Sequence, residues 1–272
     1  MKKSIFVLLL SVVLTFPFAA CAQTNAVTAA TSKQTAAVKT LRLDSKLMAR
    51  EMPYNIIVPP AYDSEKQTRF PVLYLLHGLY GSHKDWTSRT KIAEYAVRHR
   101  IIIVNPEGAN GWYSDSATVP NDRYETYIIE ELVPEIDKNY RTISERSGRA
   151  VAGLSMGGFG ALKFGVKYPE MFALAASMSG AVAVSSYRTD ADVGKFAPLL
   201  KPVFGEPGSA TQDANNLFKI VGEMPAQKIA ALPFLYLDCG TEDELGLLSS
   251  NQRLAAALIQ RKIPHEFRQL PG

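Results

Sequence analysis

The sequence has 272 residues, of which 47% are hydrophobic and 21% are charged, a composition typical of a soluble globular protein. One α/β domain with a single hydrophobic core can fill this length. The formal net charge of +4 includes Lys2 and Lys3 near the start of the chain. So weak a positive charge excludes the strongly basic class of nucleic-acid-binding proteins.

Residues 1–22 have the pattern of an export signal peptide, with a basic start, a short apolar run and small residues around Cys21. The apolar run is too short to span a bilayer. Two processing sites compete. Cleavage after Ala22 predicts a periplasmic or secreted protein, whereas Ala19-Ala20-Cys21 resembles a lipoprotein box and predicts a membrane anchor on Cys21.

Residues 23–40 are rich in Ala and Thr and predict a flexible spacer, and residues 41–272 predict one folded domain. In this domain, apolar runs alternate with helical stretches. The runs are typical of strands buried on both faces of a sheet, and they read FPVLYLLHG, RIIIVNPEG, GRAVAGLS, FALAASMSG and LPFLYLDCG. The alternation predicts an α/β fold, with a mainly parallel central sheet and helices on both faces.

Two segments between these strands differ in character. Residues 121–140 have an apolar side chain at every fourth position from Tyr124 to Ile136, which predicts a helix that Pro134 kinks. Residues 187–230 contain four prolines, several glycines and a polar run. This second segment predicts an irregular excursion over the sheet edge and over the site.

Gly153-Leu154-Ser155-Met156-Gly157 forms the pattern G-x-S-x-G between a predicted strand and a helix-forming run. The glycines leave room for a tight turn that strains the Ser155 backbone and exposes its hydroxyl at the positive end of a helix. Ser155 is therefore a candidate nucleophile, and the Met156 N–H is a candidate donor to an oxyanion. An incidental serine in a glycine-rich turn is the alternative, and it leaves the flanking strand and helix unexplained.

The turn after the run FPVLYLL predicts a second oxyanion donor. His77, Gly78 and Gly81 form a small-residue turn there, and the Leu79 N–H is the candidate. His77 is the tempting general base, but it precedes Ser155 in the chain and lies at the foot of a glycine turn. We interpret it as a hydrogen-bonded organiser of that turn.

The run LYLDCGTEDELGLL supplies the candidate acid that orients a base. Asp243 lies in the loop beyond the carboxyl end of a strand, where catalytic groups gather in parallel sheets, and it is preferred. Asp238 lies inside the strand and is the alternative. Glu242 and Glu244 are interpreted as solvated loop charges.

Trp112 and Tyr113 follow the run RIIIVNP on the same carboxyl side of the sheet as Ser155. They are candidate walls of a substrate pocket, with Asp115 orienting their loop. Ordinary aromatic packing is the alternative interpretation of both side chains.

Five motifs, in the order HGLYGSHKDW, GWYSDS, GLSMGG, CGTEDEL and PHEFRQLPG, together resemble the esterase family. This family includes S-formylglutathione hydrolases, feruloyl and acetylxylan esterases, small acyl esterases and the mycolyltransferase antigens. The resemblance extends from about Leu41 to the end of the sequence. It implies an α/β-hydrolase fold, Ser155 as nucleophile, Asp243 as the triad acid, and a histidine base in a motif of the form P-G-G-H.

The sequence departs from the family at this base, because it stops at Pro271-Gly272, one residue short of that histidine. The domain is therefore expected to be incomplete at its C-terminus. Of the four histidines present, His83 and His99 are predicted to be surface residues. His265 is the alternative base, but it starts the last predicted strand, at the end of a parallel sheet opposite to Ser155.

These features predict an exported serine esterase that hydrolyses small-molecule or carbohydrate-linked esters, such as feruloyl or acetyl esters, through an acyl-enzyme on Ser155. This chemistry needs no cofactor, and the histidines show no spacing typical of metal ligands. An acyltransferase or a thioesterase of the same family is the enzymatic alternative. A non-catalytic lipoprotein or binding module that lacks the triad histidine is the alternative from another class.

Overall fold

The computed structural model describes residues 36–272. The predicted signal peptide, with Cys21, lies outside the described residues. The first strand is Ala37–Ser45, so residues 37–40 are part of the sheet and the folded domain begins before the predicted boundary at 41. Residues 37–40 are all exposed, and partly buried side chains begin to alternate with exposed ones only at Leu41, which explains why the sequence there lacks a continuous apolar run.

One sheet organises the described residues, with the strand order β1-β2-β4-β3-β5-β6-β7-β8. Strand β2 runs antiparallel to both of its neighbours, β1 and β4, whereas β3 to β8 run parallel to one another. The mainly parallel sheet predicted from the sequence is therefore confirmed. The strands are Ala37–Ser45, Arg50–Val58, Val72–Leu76, Ile102–Pro106, Arg149–Leu154, Leu174–Met178, Phe234–Gly240 and His265–Leu270.

Helices cover both faces of the sheet. In β3, Val72, Tyr74 and Leu76 belong to the larger apolar core, whereas Leu73 and Leu75 pack with a smaller cluster on the opposite face. The α-helices, α1 to α12 in chain order, are Ala61–Ser64, Asp85–Arg89, Ile92–His99, Tyr124–Thr126, Val133–Asn139, Met156–Lys167, Asp190–Val193, Ala197–Phe204, Ala210–Asn215, Leu217–Glu223, Ala226–Ala231 and Leu247–Gln260. Strands buried by helices on both faces read as continuous apolar runs.

The helix predicted over 121–140 is present, but Pro134 does not kink it in the expected way. A π-helical turn, Tyr127–Leu132, joins α4 to α5, and Pro134 lies in the first turn of α5. A first-turn proline lacks an N–H that would otherwise bond within the helix, and the wider π turn accommodates its ring. The apolar stripe from Tyr124 to Ile136 is buried as the spacing predicts.

The irregular excursion predicted over 187–230 is wrong, because the segment is mostly helical. We call residues 187–231 the cap segment, and it contains α7 to α11. Its polar and proline residues begin helices: the side chain of Ser209 caps α9, that of Asn216 caps α10, and Pro198 lies in the first turn of α8. The same residue types mark both turns and helix starts, and here they mark helix starts.

In the range 36–272 no helix is long and apolar enough to cross a membrane. The carboxyl ends of β3, β4, β5 and β7 face one edge of the molecule, and the segments that follow them carry the candidate site residues.

Candidate active site

Ser155 lies at the sharp turn between β5 and α6. Its backbone has φ 55° and ψ −112°, a conformation that non-glycine residues rarely adopt. Three backbone bonds hold it: the Ser155 N–H donates to the Met178 carbonyl at 2.9 Å, and the Ser155 carbonyl accepts from the N–H groups of Phe159 and Ala181. The serine is half-buried, so its hydroxyl is held at a fixed point that solvent can reach.

The two glycines of the G-x-S-x-G pattern are required by close backbone approaches. A Cβ atom at Gly157 would overlap the carbonyl groups of Leu76 and His77, and one at Gly153 would overlap the backbone of Gly157. The first residues of α6 therefore pack directly on the end of β3, which brings the turn after β3 beside Ser155. A Cβ at Gly78 would lie only 3.7 Å from the Ser155 Cβ.

Two backbone N–H groups beside Ser155 have no acceptor among the described residues, those of Met156 and Leu79. Met156 is the first residue of α6, where the N–H has no intrahelical partner and the helix dipole is positive. Leu79 borders the same cavity as Ser155. The geometry therefore brings together both predicted oxyanion donors and the predicted nucleophile.

His77 fixes the direction of the Leu79 N–H. Its Nδ1 donates to the Gly78 carbonyl at 2.8 Å, and its Nε2 accepts from the Gly108 N–H at 2.9 Å. Because a trans peptide is planar, anchoring the Gly78 carbonyl on one side points the Leu79 N–H to the other side. Both ring nitrogens of His77 are occupied and the side chain is buried, as expected for an organiser of the turn.

Glu107, which directly follows β4, stabilises the same turn after β3 through contacts with its two histidines. Its carboxylate accepts from His83 Nδ1 at 2.7 Å and lies 3.4 Å from His77 Nε2. Burial raises the pKa of Glu107, but the hydrogen bonds from the His83 ring and from the N–H groups of His83 and Ala109 outweigh it and lower the pKa to about 2. His83 is therefore buried against a carboxylate, and its prediction as a surface residue is wrong.

Asp243 follows β7, at the same edge of the sheet as Ser155. Its Oδ1 accepts from the N–H groups of Leu245 and Leu247 at 3.0 and 2.9 Å, which fixes the carboxylate. Its Oδ2 has no hydrogen bond to any described residue. Asp238 lies within β7 beside Arg268 of β8, as expected for a strand residue.

No histidine within residues 36–272 bonds to Ser155 or Asp243. His265 starts β8 opposite Leu235, at the amino end of β7, and its Nδ1 bonds to the Ile263 carbonyl. His99 ends α3 and is exposed, as predicted. At the other end of β8, the Gly272 carbonyl accepts from the Glu242 N–H at 3.0 Å, one residue before Asp243.

The structure separates the two aromatic residues predicted to wall the pocket. Trp112 borders the cavity at Ser155 and packs on the rings of Phe159 and Phe204. The prediction that Tyr113 lines the pocket is wrong, because its side chain is fully buried under α6. There it packs against Gly160, and its hydroxyl donates to the His77 carbonyl. Asp115 orients the loop of Trp112 and Tyr113, because its carboxylate accepts hydrogen bonds from the N–H groups of Glu125 and Thr126 in α4.

A cavity of about 1500 Å³ opens at Ser155 between the turn after β3 and the cap segment. The cap segment supplies most of one wall, and sequence analysis does not single out its residues. The spacing of three and four residues between Val193, Phe196 and Leu200, typical of one helix face, is the signal that could identify them. The apolar cap residues that line the cavity are Val193, Phe196, Leu199, Leu200 and Phe218.

Known proteins resemble this chain in sequence and in fold. An acetyl esterase of Caldicellulosiruptor saccharolyticus is 29% identical over 184 residues, covering 64% of this chain and 66% of that protein. The solved structure of a ferulic acid esterase has a TM-score of 0.72 and 29% identity, and the match covers 87% of this chain and 91% of that one. The fold is therefore that of the α/β-hydrolase esterases.

An esterase of Mycobacterium tuberculosis is 34% identical over 238 residues, which cover 80% of this chain. The match covers 51% of that protein, so the chain spans about half the length of this curated relative. The family model named Esterase matches residues 45–271, almost the whole of the described domain. The chain therefore belongs to the esterase family.

Proposed function

We propose that this protein is a serine esterase that hydrolyses carboxylic esters through an acyl-enzyme on Ser155. One observation carries the proposal: a serine held at φ 55° at the start of α6, beside two backbone N–H groups that no described residue accepts. A hydroxyl in this position can attack a carbonyl carbon while both N–H groups receive the carbonyl oxygen.

The reaction proceeds in two halves. Ser155 Oγ attacks the ester carbonyl, its proton passes to a histidine, and the oxyanion accepts hydrogen bonds from Leu79 and Met156. The histidine returns the proton to the leaving alcohol, and water then hydrolyses the acyl-enzyme by the same steps. Asp243 orients this histidine through its free Oδ2. The resemblance to the esterase family implies that this histidine belongs to a motif of the form P-G-G-H, and the Gly272 carbonyl after β8 lies beside the Asp243 loop.

The substrate proposal is an ester of a carbohydrate-linked or small alcohol, with an acyl group such as acetyl or feruloyl. This proposal is supported by the chain's resemblance to proteins named as an acetyl esterase and a ferulic acid esterase. A cavity that is apolar along the cap segment suits an acyl group larger than acetyl.

Export is proposed from residues 1–22 alone. Ester substrates attached to polysaccharides lie outside the cell, which agrees with that signal. Cell fractionation of a producing strain, followed by N-terminal sequencing of the mature protein, distinguishes cleavage after Ala22 from lipid attachment at Cys21.

The nucleophile is tested by trapping. After brief incubation with p-nitrophenyl acetate, mass spectrometry of the peptide that contains Ser155 should show an added acetyl group, and Ser155→Ala should show none. An acetyl group on any other residue, with Ser155 unmodified, would reject the proposal.

The base is tested by extension. The chain with a Gly-His-containing family tail after Gly272 should hydrolyse p-nitrophenyl acetate about a thousandfold faster than the 272-residue chain, because removing a triad member costs at least that factor. Equal rates for the two chains would reject a base on the added tail and favour His265 or another group.

A further inference from the structure

Lys163, eight residues after Ser155 in α6, has a wholly buried ammonium group. It lies within hydrogen-bonding distance of four oxygens from three other parts of the chain. These are the Tyr113 carbonyl at 2.8 Å, Ser114 Oγ at 2.5 Å, Asn215 Oδ1 at 2.8 Å and Glu125 Oε2 at 2.8 Å. An ammonium has three N–H donors, so all of them are occupied. Lysine is rarely buried unless it is paired in this way.

Two of these contacts hold the loop that carries Trp112. Ser114 Oγ accepts from Lys163 and donates its own proton to the Trp112 carbonyl at 3.0 Å, so the ammonium is linked to that carbonyl through one hydroxyl. Trp112 and Tyr113 have φ values of 54° and 50°, an unfavourable conformation for side chains of this size. The bonds to both carbonyls stabilise this conformation of the loop.

The third contact holds the cap segment. Asn215 is the last residue of α9, and its carbonyl accepts from Ser185 Oγ at 2.8 Å. Its neighbours Gln212 and Asn216 border the cavity. Lys163 therefore joins the two walls of the cavity, with Trp112 on one side and the end of α9 on the other.

Glu125 keeps the ammonium in place. Burial raises the pKa of Glu125, but the charges of Lys163 and Lys167 outweigh it and lower the pKa to about 2. Burial lowers the pKa of Lys163 to about 8 although Glu125 raises it, so the group is charged at neutral pH. Lys167 shares Glu125 with Lys163 and, among the described residues, makes no bond to the Trp112 loop or to α9.

We propose that Lys163 is a positioning residue that sets the separation of the two cavity walls and thereby determines selectivity for bulky over small acyl groups. The inference rests on the proposed function of Ser155 for its kinetic consequence alone. The position of Trp112 is measurable without any reaction.

The structural consequence is tested by fluorescence. The sequence has two tryptophans, so Trp86→Phe leaves Trp112 as the only emitter. In that background, Lys163→Met should increase acrylamide quenching of Trp112 at least about twofold, whereas Lys167→Met should leave it unchanged. Lys167→Met is the matched control, since it also removes a cation from Glu125. Equal quenching in parent and Lys163→Met, or an equal increase in both variants, would overturn the proposal.

The kinetic consequence is tested with two esters on a chain that has shown esterase activity. Lys163→Met should raise KM for p-nitrophenyl ferulate about tenfold, because a small displacement of a binding wall weakens a large substrate, and should change kcat/KM for p-nitrophenyl acetate less than about twofold. An equal loss for both esters would overturn the selectivity role. If the parent hydrolyses neither ester, the proposed function fails while the quenching experiment still decides the role of Lys163.

A second variant guards against misfolding of Lys163→Met. Asn215→Ala removes the contact of Lys163 with the cap segment, together with the bond from Asn215 Nδ2 to the Thr211 carbonyl within α9, and leaves the Lys163–Glu125 pair intact. It should change quenching and the KM for the bulky ester in the same direction as Lys163→Met. An Asn215→Ala variant that folds and matches the parent in both measurements would contradict the link between the two walls.

Discussion

At the scale of single residues, the site is defined by backbone directions more than by side chains. The φ of Ser155 exposes the hydroxyl, and the peptide between Gly78 and Leu79 directs an N–H toward it. Each direction is maintained by hydrogen bonds on the far side of the peptide. Substitutions that change those bonds should therefore alter activity without touching a substrate.

Strain at Ser155 should be measurable as stability. Glycine adopts the Ser155 backbone conformation without steric cost, so Ser155→Gly should be more stable than Ser155→Ala by about 1 kcal/mol, while both lose esterase activity. Urea unfolding of the two inactive variants compares them directly. An alanine variant as stable as the glycine variant would show that the turn stores no strain.

His77 should act through the oxyanion donor. His77→Leu removes the bond from Nδ1 to the Gly78 carbonyl and the bond that Nε2 accepts from the Gly108 N–H. It should lower kcat by about a hundredfold, the cost typical of one lost donor, with little change in KM. His77→Asn keeps a donor near the Nδ1 position and should retain most of the activity. Equal losses in the two variants would indicate that His77 only maintains the fold.

At the scale of elements, α6 is positioned by its glycines. Gly157→Ala should lower the free energy of unfolding by roughly 1–3 kcal/mol, because the new methyl group overlaps the carbonyls of Leu76 and His77. Gly222 in α10 is the matched control, since nothing lies near its added methyl group, and Gly222→Ala should stabilise by up to about 1 kcal/mol. Urea unfolding measures both, and a neutral Gly157→Ala would refute the close packing of α6 on β3.

Local signals explain which elements the sequence predicts. The parallel strands and the Ser155 turn are encoded by continuous apolar runs and by a five-residue pattern, so they can be identified without knowing the fold. The cap helices could not be predicted, because Ser209, Asn216 and Pro198 are typical of turns as well as of helix starts.

The burial of a side chain cannot be predicted from local sequence when it depends on a partner far away in the chain. His83 is buried because Glu107, 24 residues later, supplies a carboxylate. Tyr113, in the loop after β4, is buried because Gly160 in α6 leaves space for its ring. Residues near each other in the fold and far apart in the chain decide both outcomes, and periodicity carries no information about them.

At the scale of the whole molecule, two carboxylates, the half-buried Glu107 and the buried Glu125, couple stability to pH. The pKa values of Glu107 and Glu125 are lowered from 4.5 to about 2, so between these values the unfolded chain binds protons that the folded chain does not. Their contribution is present above pH 4.5 and is lost as the pH falls toward 2. Glu107→Gln should flatten the fall in unfolding free energy between pH 5 and 3, whereas Glu244→Gln, at an exposed loop position, should leave the slope unchanged.

The two halves of the cap segment have different structural roles: the first half lines the cavity, and the second half connects back to the sheet. The cap residues that line the cavity all lie between the start of the segment and the first turn of α10. The rest of α10, with α11, leads the chain past α6 and α12 to the amino end of β7. A parallel β6–β7 pair needs such a return whatever the first half does. Insertions and deletions in the first half of the cap segment can therefore change the cavity while the sheet stays intact. Changes in this half are the ones expected to alter substrate range, in natural relatives and in designed variants.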